Sequence, residues 1–306
     1  MTGELVTGEL VPAVSVVIPV GSVDESLERQ LVAVLQQTDS PTFEVILARN
    51  TADAGQEAEL SRRVAEIGDP RLRIVDATAK RSASFARNVG ARTARAGVLA
   101  FCDSDDLVHH DWLARLIAGL DTADAVGGRL IDFADTGELP KWRPPATPDA
   151  LPTFLGVPYL VSANMAIRRE LFDAVGGFDE SLTRCKDIAI SWRLIDTGSK
   201  LAFVADANVE YRVRASVTAM LRQHYFYGIG MSEVLARVGR PGGVASGHES
   251  TGVNELSGAT SLLQRLRMLK PNNQPGGLRS PIGILRKTAI GAGRVVGLVR
   301  ESRSRH

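Results

Sequence analysis

Cysteine is nearly absent from this chain: Cys102 and Cys185 are the two in 306 residues. Two thiols cannot build the dense disulfide framework of a small secreted scaffold, and they fit a reducing compartment. Long apolar runs are missing too. No stretch reaches the ~18 apolar residues that a membrane-spanning helix needs. Residues 1–11 hold two acids, no basic residue and no apolar core, which is not the make-up of a signal peptide. The expectation is a cytoplasmic protein. Net charge is also small, at +1, but unevenly spread: residues 240–306 carry eleven Lys/Arg against three Glu, a net of +8, leaving −7 on residues 1–239. An acidic body offers no groove for nucleic acid, and a basic tail prefers an anionic surface.

What is present is a globular core's worth of apolar residues, 44% of the chain. Much of it is organised around Leu99-Ala100-Phe101-Cys102-Asp103-Ser104-Asp105-Asp106. Four apolar residues read as a buried strand, and three carboxylates follow at once. Open α/β sheets bind ligands in the crevice at such strand ends. Asp103 and Asp105 stand two apart in a turn, so both can face one cation, and oxygen ligands of this kind suit Mg²⁺ or Mn²⁺ shared with substrate phosphates.

The remaining chain supplies the frame. Residues 1–12 repeat Thr-Gly-Glu-Leu-Val twice and read as a flexible leader. Strands are expected at 14–19, 43–48, 72–75, 99–102, 125–130, 161–167, 201–204 and 209–213. Helices are expected between them, notably from Asp24 or Ser26 to Gln37, from Ser82 to Gly97, at 110–120 and 186–197, and a long one at 216–238. Alternating strands and helices with short links argue for a parallel, doubly wound sheet. Residues 134–158, with five prolines between 140 and 152 and Trp142 among them, read as a long loop over the site. Residues 240–258 are a Gly- and Ser-rich linker. Two basic amphipathic stretches follow, 261–270 and 282–300; in the second, Ile282, Leu285, Ala289, Val296 and Val299 can share a helical face beside Arg286, Lys287 and Arg300. Gly291, Gly293 and Gly297 weaken that helix in water, so it is expected to order on an anionic membrane surface.

Several separated stretches match one pattern in order. Residues 14–19, 43–53, the segment Ala86-Arg87-Asn88-Val89-Gly90 and the Asp103–Asp106 turn resemble the nucleotide-sugar half of family 2 glycosyltransferases. Gly176-Gly177-Phe178-Asp179-Glu180 and Lys186-Asp187, followed by Arg193-Leu194, resemble that family's acceptor half. The resemblance covers roughly residues 13–235. It implies a GT-A fold: a mixed sheet flanked by helices over residues 13–239, then the linker and tail of 240–306. It also implies inverting transfer of a sugar from a UDP-, dTDP- or GDP-sugar to the hydroxyl of a glycan, lipid-linked glycan or small molecule. By the same resemblance Asp105 binds Mg²⁺ or Mn²⁺ with Glu210, and Asp103 takes the donor ribose or sugar. Pro19, Val20, Asn50, Arg81, Arg87 and Ser104 complete the donor cradle. Asp187 is then the catalytic base, at a helix start whose dipole keeps a carboxylate ionised.

Three positions depart from the pattern. Arg49-Asn50 stands where an acidic pair contacts the donor base, although Asn50 can pair with a uracil or thymine edge. Lys186 replaces a glutamate before the base, and Glu210 replaces a metal-holding histidine. These departures keep open a degenerate transferase-like scaffold. A nucleotidyltransferase is a further alternative, but it wants a basic Gly-rich loop after the first strand, and Gly21-Ser22-Val23-Asp24 is short and acidic.

Overall fold

The computed structural model describes residues 5–6, 9–134, 137–140, 148–182, 184–213, 216–239 and 281–303. The repeated leader forms a small antiparallel ribbon, β1 (Leu5–Val6) against β2 (Glu9–Leu10), where a flexible segment was expected. The body then alternates β3 (Val14–Val20), α1 (Glu25–Leu35), β4 (Phe43–Arg49), α2 (Ala54–Ile67), β5 (Leu72–Asp76), α3 (Ala83–Thr93) and β6 (Val98–Cys102). Capping sets the helix starts. Asp24 accepts from the Ser26 and Leu27 amides to open α1, and Asp53 accepts from the Gln56 amide to open α2. Gly68, at φ +63°, closes α2 in a left-handed turn. α3 ends at Thr93, short of the expected Gly97.

Past β6 come β7 (Leu107–Val108), α4 (Trp112–Gly119), β8 (Ala125–Phe133), β9 (Thr153–Phe154), β10 (Val157–Pro158), β11 (Asn164–Arg168), α5 (Arg169–Ala174), α6 (Lys186–Asp196), β12 (Leu201–Arg212), α7 (Val217–Arg237) and α8 (Pro281–Arg303). Eight strands form one sheet in the order β5-β4-β3-β6-β11-β8-β12-β7. Only half of it follows the parallel doubly wound pattern. β3 to β6 are parallel neighbours, whereas β11 runs antiparallel between β6 and β8, and β7 runs antiparallel to β12. The two strands expected at 201–204 and 209–213 are one, with an irregularity between Val204 and Asn208 that re-aims its second half. Part of the expected long loop is ordered as the β9–β10 hairpin, where Phe154 stacks on Trp192 with ring centroids 5.4 Å apart. Trp142 and residues 261–270 lie outside the described residues.

Strand alternation divides the core between the two sheet faces. Val16, Ile18, Val45 and Leu47 meet α1 and α4 through Leu27, Leu31 and Leu113. Val17, Ile46, Leu99 and Phe101 face the other way, where Phe101, Phe172 and Phe178 contact one another at 5.4–5.6 Å. With β3, β4 and β6 all buried, their carboxyl ends are held in register.

The tail helix is seated against the body. α8 runs alongside α7 in the same direction: Gly293 lies against the Tyr225 main chain, Gly297 against Ile229 and Ser232, and Glu301 pairs with Arg237 at 2.9 Å. A Cβ on Gly293 would come 1.9 Å from the Tyr225 carbonyl oxygen, and one on Gly228 would come 2.2 Å from that of Ile290. Glycines expected to weaken the helix thus let two helix backbones approach closely. The apolar face also differs from the one expected. Leu285 and Val299 are exposed, Ala289 and Val296 are half-buried, and the side chain of Ile282 lies outside those described.

Candidate active site

The carboxyl ends of β3, β4 and β6 open onto a cleft of about 300 Å³, lined by Pro19, Gly21, Asn50, Arg81, Ser82, Ala83, Arg87, Asp103, Ser104 and Asp105. Seven of the residues expected to cradle a donor or metal therefore share one cavity: Pro19, Asn50, Arg81, Arg87, Asp103, Ser104 and Asp105. Val20 does not line it. Its side chain is fully buried in the core, and Gly21 borders the cleft instead.

The acidic turn is held from below. Gln30, buried on α1, donates through its Nε2 to the Asp103 carbonyl at 2.9 Å and accepts from the Val108 amide at 3.0 Å. One side chain thus fixes both ends of the turn that leaves β6. Within it the carboxylates of Asp103, Asp105 and Asp106 bring one oxygen each to within 4.8 Å of one another. Arg87 forms an ion pair with Asp103. Asp106 is buried; its Oδ1 accepts from the Arg212 amide at 2.9 Å, while its Oδ2 has no hydrogen-bond partner. Burial, reinforced by the neighbouring Asp103 and Asp105, pushes the Asp106 carboxyl up to about 8. Crowded carboxylates with an orphaned buried oxygen form an all-oxygen donor set that fits a hard divalent cation.

Glu210 is not part of this cluster. Its carboxylate faces His109, with Oε1 3.7 Å from Nε2. The reason is strand parity: successive residues on β12 point to opposite faces, and it is Tyr211 that feels the three aspartates. Its hydroxyl is raised by burial first, and further by Tyr227, Asp103, Asp106 and Asp105.

Two departures from the expected pattern find their places here. Arg49 does not border the cleft; its guanidinium pairs with Glu57 at 3.0 Å and Asp76 at 3.1 Å. Asn50 beside it donates from Nδ2 to the Ala77 carbonyl and, at 2.8 Å, to the Lys80 carbonyl, which leaves the carboxamide oxygen as the acceptor at the cleft. Lys186 donates to Ser82 Oγ at 3.0 Å. Burial lowers its pKa, and so do the adjacent Arg87 and Arg184. It therefore adds a cation at the start of α3 where an acid was expected.

Asp187 follows Lys186 in the first turn of α6, after Cys185 in the left-handed region at φ +58°. Burial raises its carboxyl pKa, against the lowering effects of Arg87 and of hydrogen bonds from the Ser162 hydroxyl and amide. The helix dipole therefore does not dominate at this position; desolvation does. A second tie joins the two halves: Asn88 on α3 accepts from the Phe178 amide at 2.9 Å and donates to the Phe178 carbonyl and to Glu180 Oε1, both at 2.8 Å. Gly177, at φ +66°, is required there, because a Cβ would meet Asn88 Oδ1 at 2.7 Å.

Gln30, Ser82, Asp106, Ser162 and Tyr211 were not among the expected site residues. Asp106 alone carried a signal, as the third acid of the turn. Ser82 was read only as a helix start, Tyr211 stands between two charged residues of an expected strand, and Gln30 and Ser162 are polar residues among apolar neighbours, which periodicity assigns to the core.

Residues 15–176 match the sequence profile described as Glycosyl transferase family 2. The pre-mycofactocin glycosyltransferase of Mycobacterium tuberculosis is 30% identical over 156 residues, 47% of this chain and 33% of its own length. The succinoglycan biosynthesis protein ExoO of Rhizobium meliloti is 27% identical over 294 residues, 89% of this chain and 82% of its own. The mannosyltransferase PcManGT from Pyrobaculum calidifontis, solved with GDP-Man and Mn²⁺, superposes with a TM-score of 0.58 at 20% identity, over 75% of this chain and 66% of its own. GalNAc-T7, solved with UDP, GalNAc and Mn²⁺, superposes with a TM-score of 0.53 at 18% identity, over 72% and 51%. These likenesses establish the GT-A fold, and with the profile match over more than half of its length, the chain belongs to glycosyl transferase family 2.

Proposed function

We propose that the protein is an inverting glycosyltransferase that moves a sugar from a nucleoside-diphosphate donor to an acceptor hydroxyl. The observation that carries this reading is the carboxylate cluster at the mouth of a cation-lined cleft, with Asp106 Oδ2 unpartnered. Mg²⁺ or Mn²⁺ held by Asp105 with Asp103 and Asp106, when bound, supplies positive charge to the leaving diphosphate.

The chain's own groups do the rest. Arg81 lines the cleft beside Ser82, at the amino end of α3, and offers a charge-assisted hydrogen bond to a phosphate. Lys186, through Ser82, adds a second cation at the same helix start. Arg87 holds Asp103 in place. The Asn50 oxygen accepts a ring N–H, a group that uracil, thymine and guanine all present.

Asp187 takes the acceptor's proton. A carboxylate whose pKa is raised by burial is a stronger base than an exposed one, and general-base efficiency rises as the pKa approaches working pH. Ser162 orients it without neutralising it. Attack from the face opposite the departing diphosphate inverts the anomeric carbon, which requires the base and the cation cluster to flank the sugar. That Asp187 feels Arg87 and Asp103 electrostatically supports its assignment beside the cation cluster.

The test is a donor-hydrolysis and transfer screen of the full-length protein against UDP-, GDP- and dTDP-sugars with Mn²⁺ or Mg²⁺. Metal-dependent turnover of one donor, with inverted product configuration by proton NMR, is expected. Failure to bind or cleave any of them with either metal would contradict the reading.

A further inference from the structure

Exposed large apolar side chains are concentrated on one element. Among the described residues, Ile284 is 57% exposed, Leu285 48%, Val295 48% and Val299 38%, all on α8, and only Val32 is comparable elsewhere. With exposed Thr288 and Ala292 they recur at helical spacing (284, 288, 292, 295, 299) and occupy an arc of about 100°. That arc points away from α7, because Gly293, Gly297 and Glu301 lie on the opposite side of α8 and make the seam between the two helices.

Charge surrounds the stripe with one sign. By helical spacing the exposed Arg300 lies along one flank and the half-buried Lys287 along the other, with Arg286 further round toward the seam, and no acid occurs from 281 to 300. Glu301, the acid that follows, is buried against Arg237. A second copy of this helix laid on the stripe would bring these cations against their own kind, a repulsive arrangement for a self-paired helix. An anionic lipid surface meets both features at once, with apolar side chains entering the acyl boundary and cations remaining at the headgroups.

We infer that the outward face of α8 is a docking surface for an anionic membrane. Packing along α7 presents the helix already formed, so binding requires no coil-to-helix transition. Resting on the transferase reading above, the placement also brings a lipid-linked acceptor within reach. Gly293 abuts the Tyr225 main chain, and two residues on the Tyr227 carbonyl accepts from Cys185 Sγ at 3.4 Å. Cys185 directly precedes the helix that carries Asp187. One helix, α7, therefore stands between the docking helix and the base, a separation on the order of 20 Å.

The experiment is co-sedimentation of the full-length protein, without substrate, with phosphatidylcholine vesicles and with vesicles in which about a third of the lipid is phosphatidylglycerol. The wild type is expected to pellet with the anionic vesicles, less so as salt is raised, and to remain in solution with the neutral ones. The triple variant Ile284→Ser, Val295→Ser, Val299→Ser changes only exposed positions and is expected to lose about 10²-fold in partitioning. Lys287→Gln with Arg300→Gln should lose about thirtyfold. Sedimentation velocity on the same proteins covers the other occupant. Absence of vesicle binding, binding that the triple variant retains, or a dimer that the triple variant dissolves in place of vesicle binding would each overturn the inference. Because no substrate is present, none of these results bears on the donor chemistry.

Discussion

Asp187→Asn separates catalysis from folding by moving the two in opposite directions. The amide is nearly isosteric and its oxygen still accepts from Ser162, but it cannot take a proton. Losing a general base costs ~10²–10⁴ in turnover, or about 3–5 kcal/mol of transition-state stabilisation. Stability should change the other way. Burial is the largest influence on this carboxyl and raises its pKa, outweighing Arg87 and Ser162. A folded-state pKa above the unfolded value means that its contribution to stability is fully present below the unfolded pKa, near 4, and is lost as pH rises through the folded pKa. Once pH passes the folded pKa, the wild type carries a buried charge that the asparagine variant lacks. The two should melt alike at pH 3 and the variant should gain on the wild type as pH rises through that pKa, while its kcat falls with donor affinity retained. The acid limb of the wild-type kcat profile should lie above the ordinary carboxylate range and disappear in the variant. Near-normal turnover, or a melting difference that does not grow with pH, would refute the reasoning.

Two further outcomes follow from the same geometry. With Asp106 raised to about 8 in the metal-free protein, Mn²⁺ binding at pH 7 should release about one proton, and affinity should climb with pH until about 8; calorimetry in buffers of different ionisation enthalpy measures this, and heats independent of buffer would contradict it. Gly293→Leu sets a side chain where even a Cβ would lie 1.9 Å from the Tyr225 oxygen, so α8 should lift from α7 at a cost of ~1–3 kcal/mol. The expected readout is early tryptic cleavage in the tail and a lower urea midpoint, and an unchanged midpoint would contradict it.

How far the sequence could be read depended on the kind of signal. β6 and its acidic turn were legible because a buried apolar run followed by three acids has few other interpretations, and the cleft residues Asn50, Arg81 and Arg87 came with the strand and helix ends around it. The mixed half of the sheet was less legible: nothing in Asn164–Arg168 says that this strand runs antiparallel between β6 and β8. Glu210 shows what one residue of strand parity can change: its carboxylate faces His109, while its neighbour Tyr211 feels the aspartates electrostatically. Gln30 was invisible because it sits between Leu27 and Leu31 on a face that periodicity assigns to the core. Gly293 and Gly297 were read by helix propensity, whereas their role is set by a partner helix more than fifty residues earlier.

The central claim is that the Asp103–Asp106 turn binds donor through a divalent cation, and titration calorimetry of UDP and GDP tests it most directly. Each nucleotide is titrated into wild type and Asp105→Ala with Mn²⁺ and without it. Asp105 is exposed, so its removal leaves the fold intact. The account predicts that one nucleotide binds wild type far more tightly with Mn²⁺ than without, and that Asp105→Ala loses this metal-dependent gain. Equal affinity of the two proteins in Mn²⁺ would contradict it.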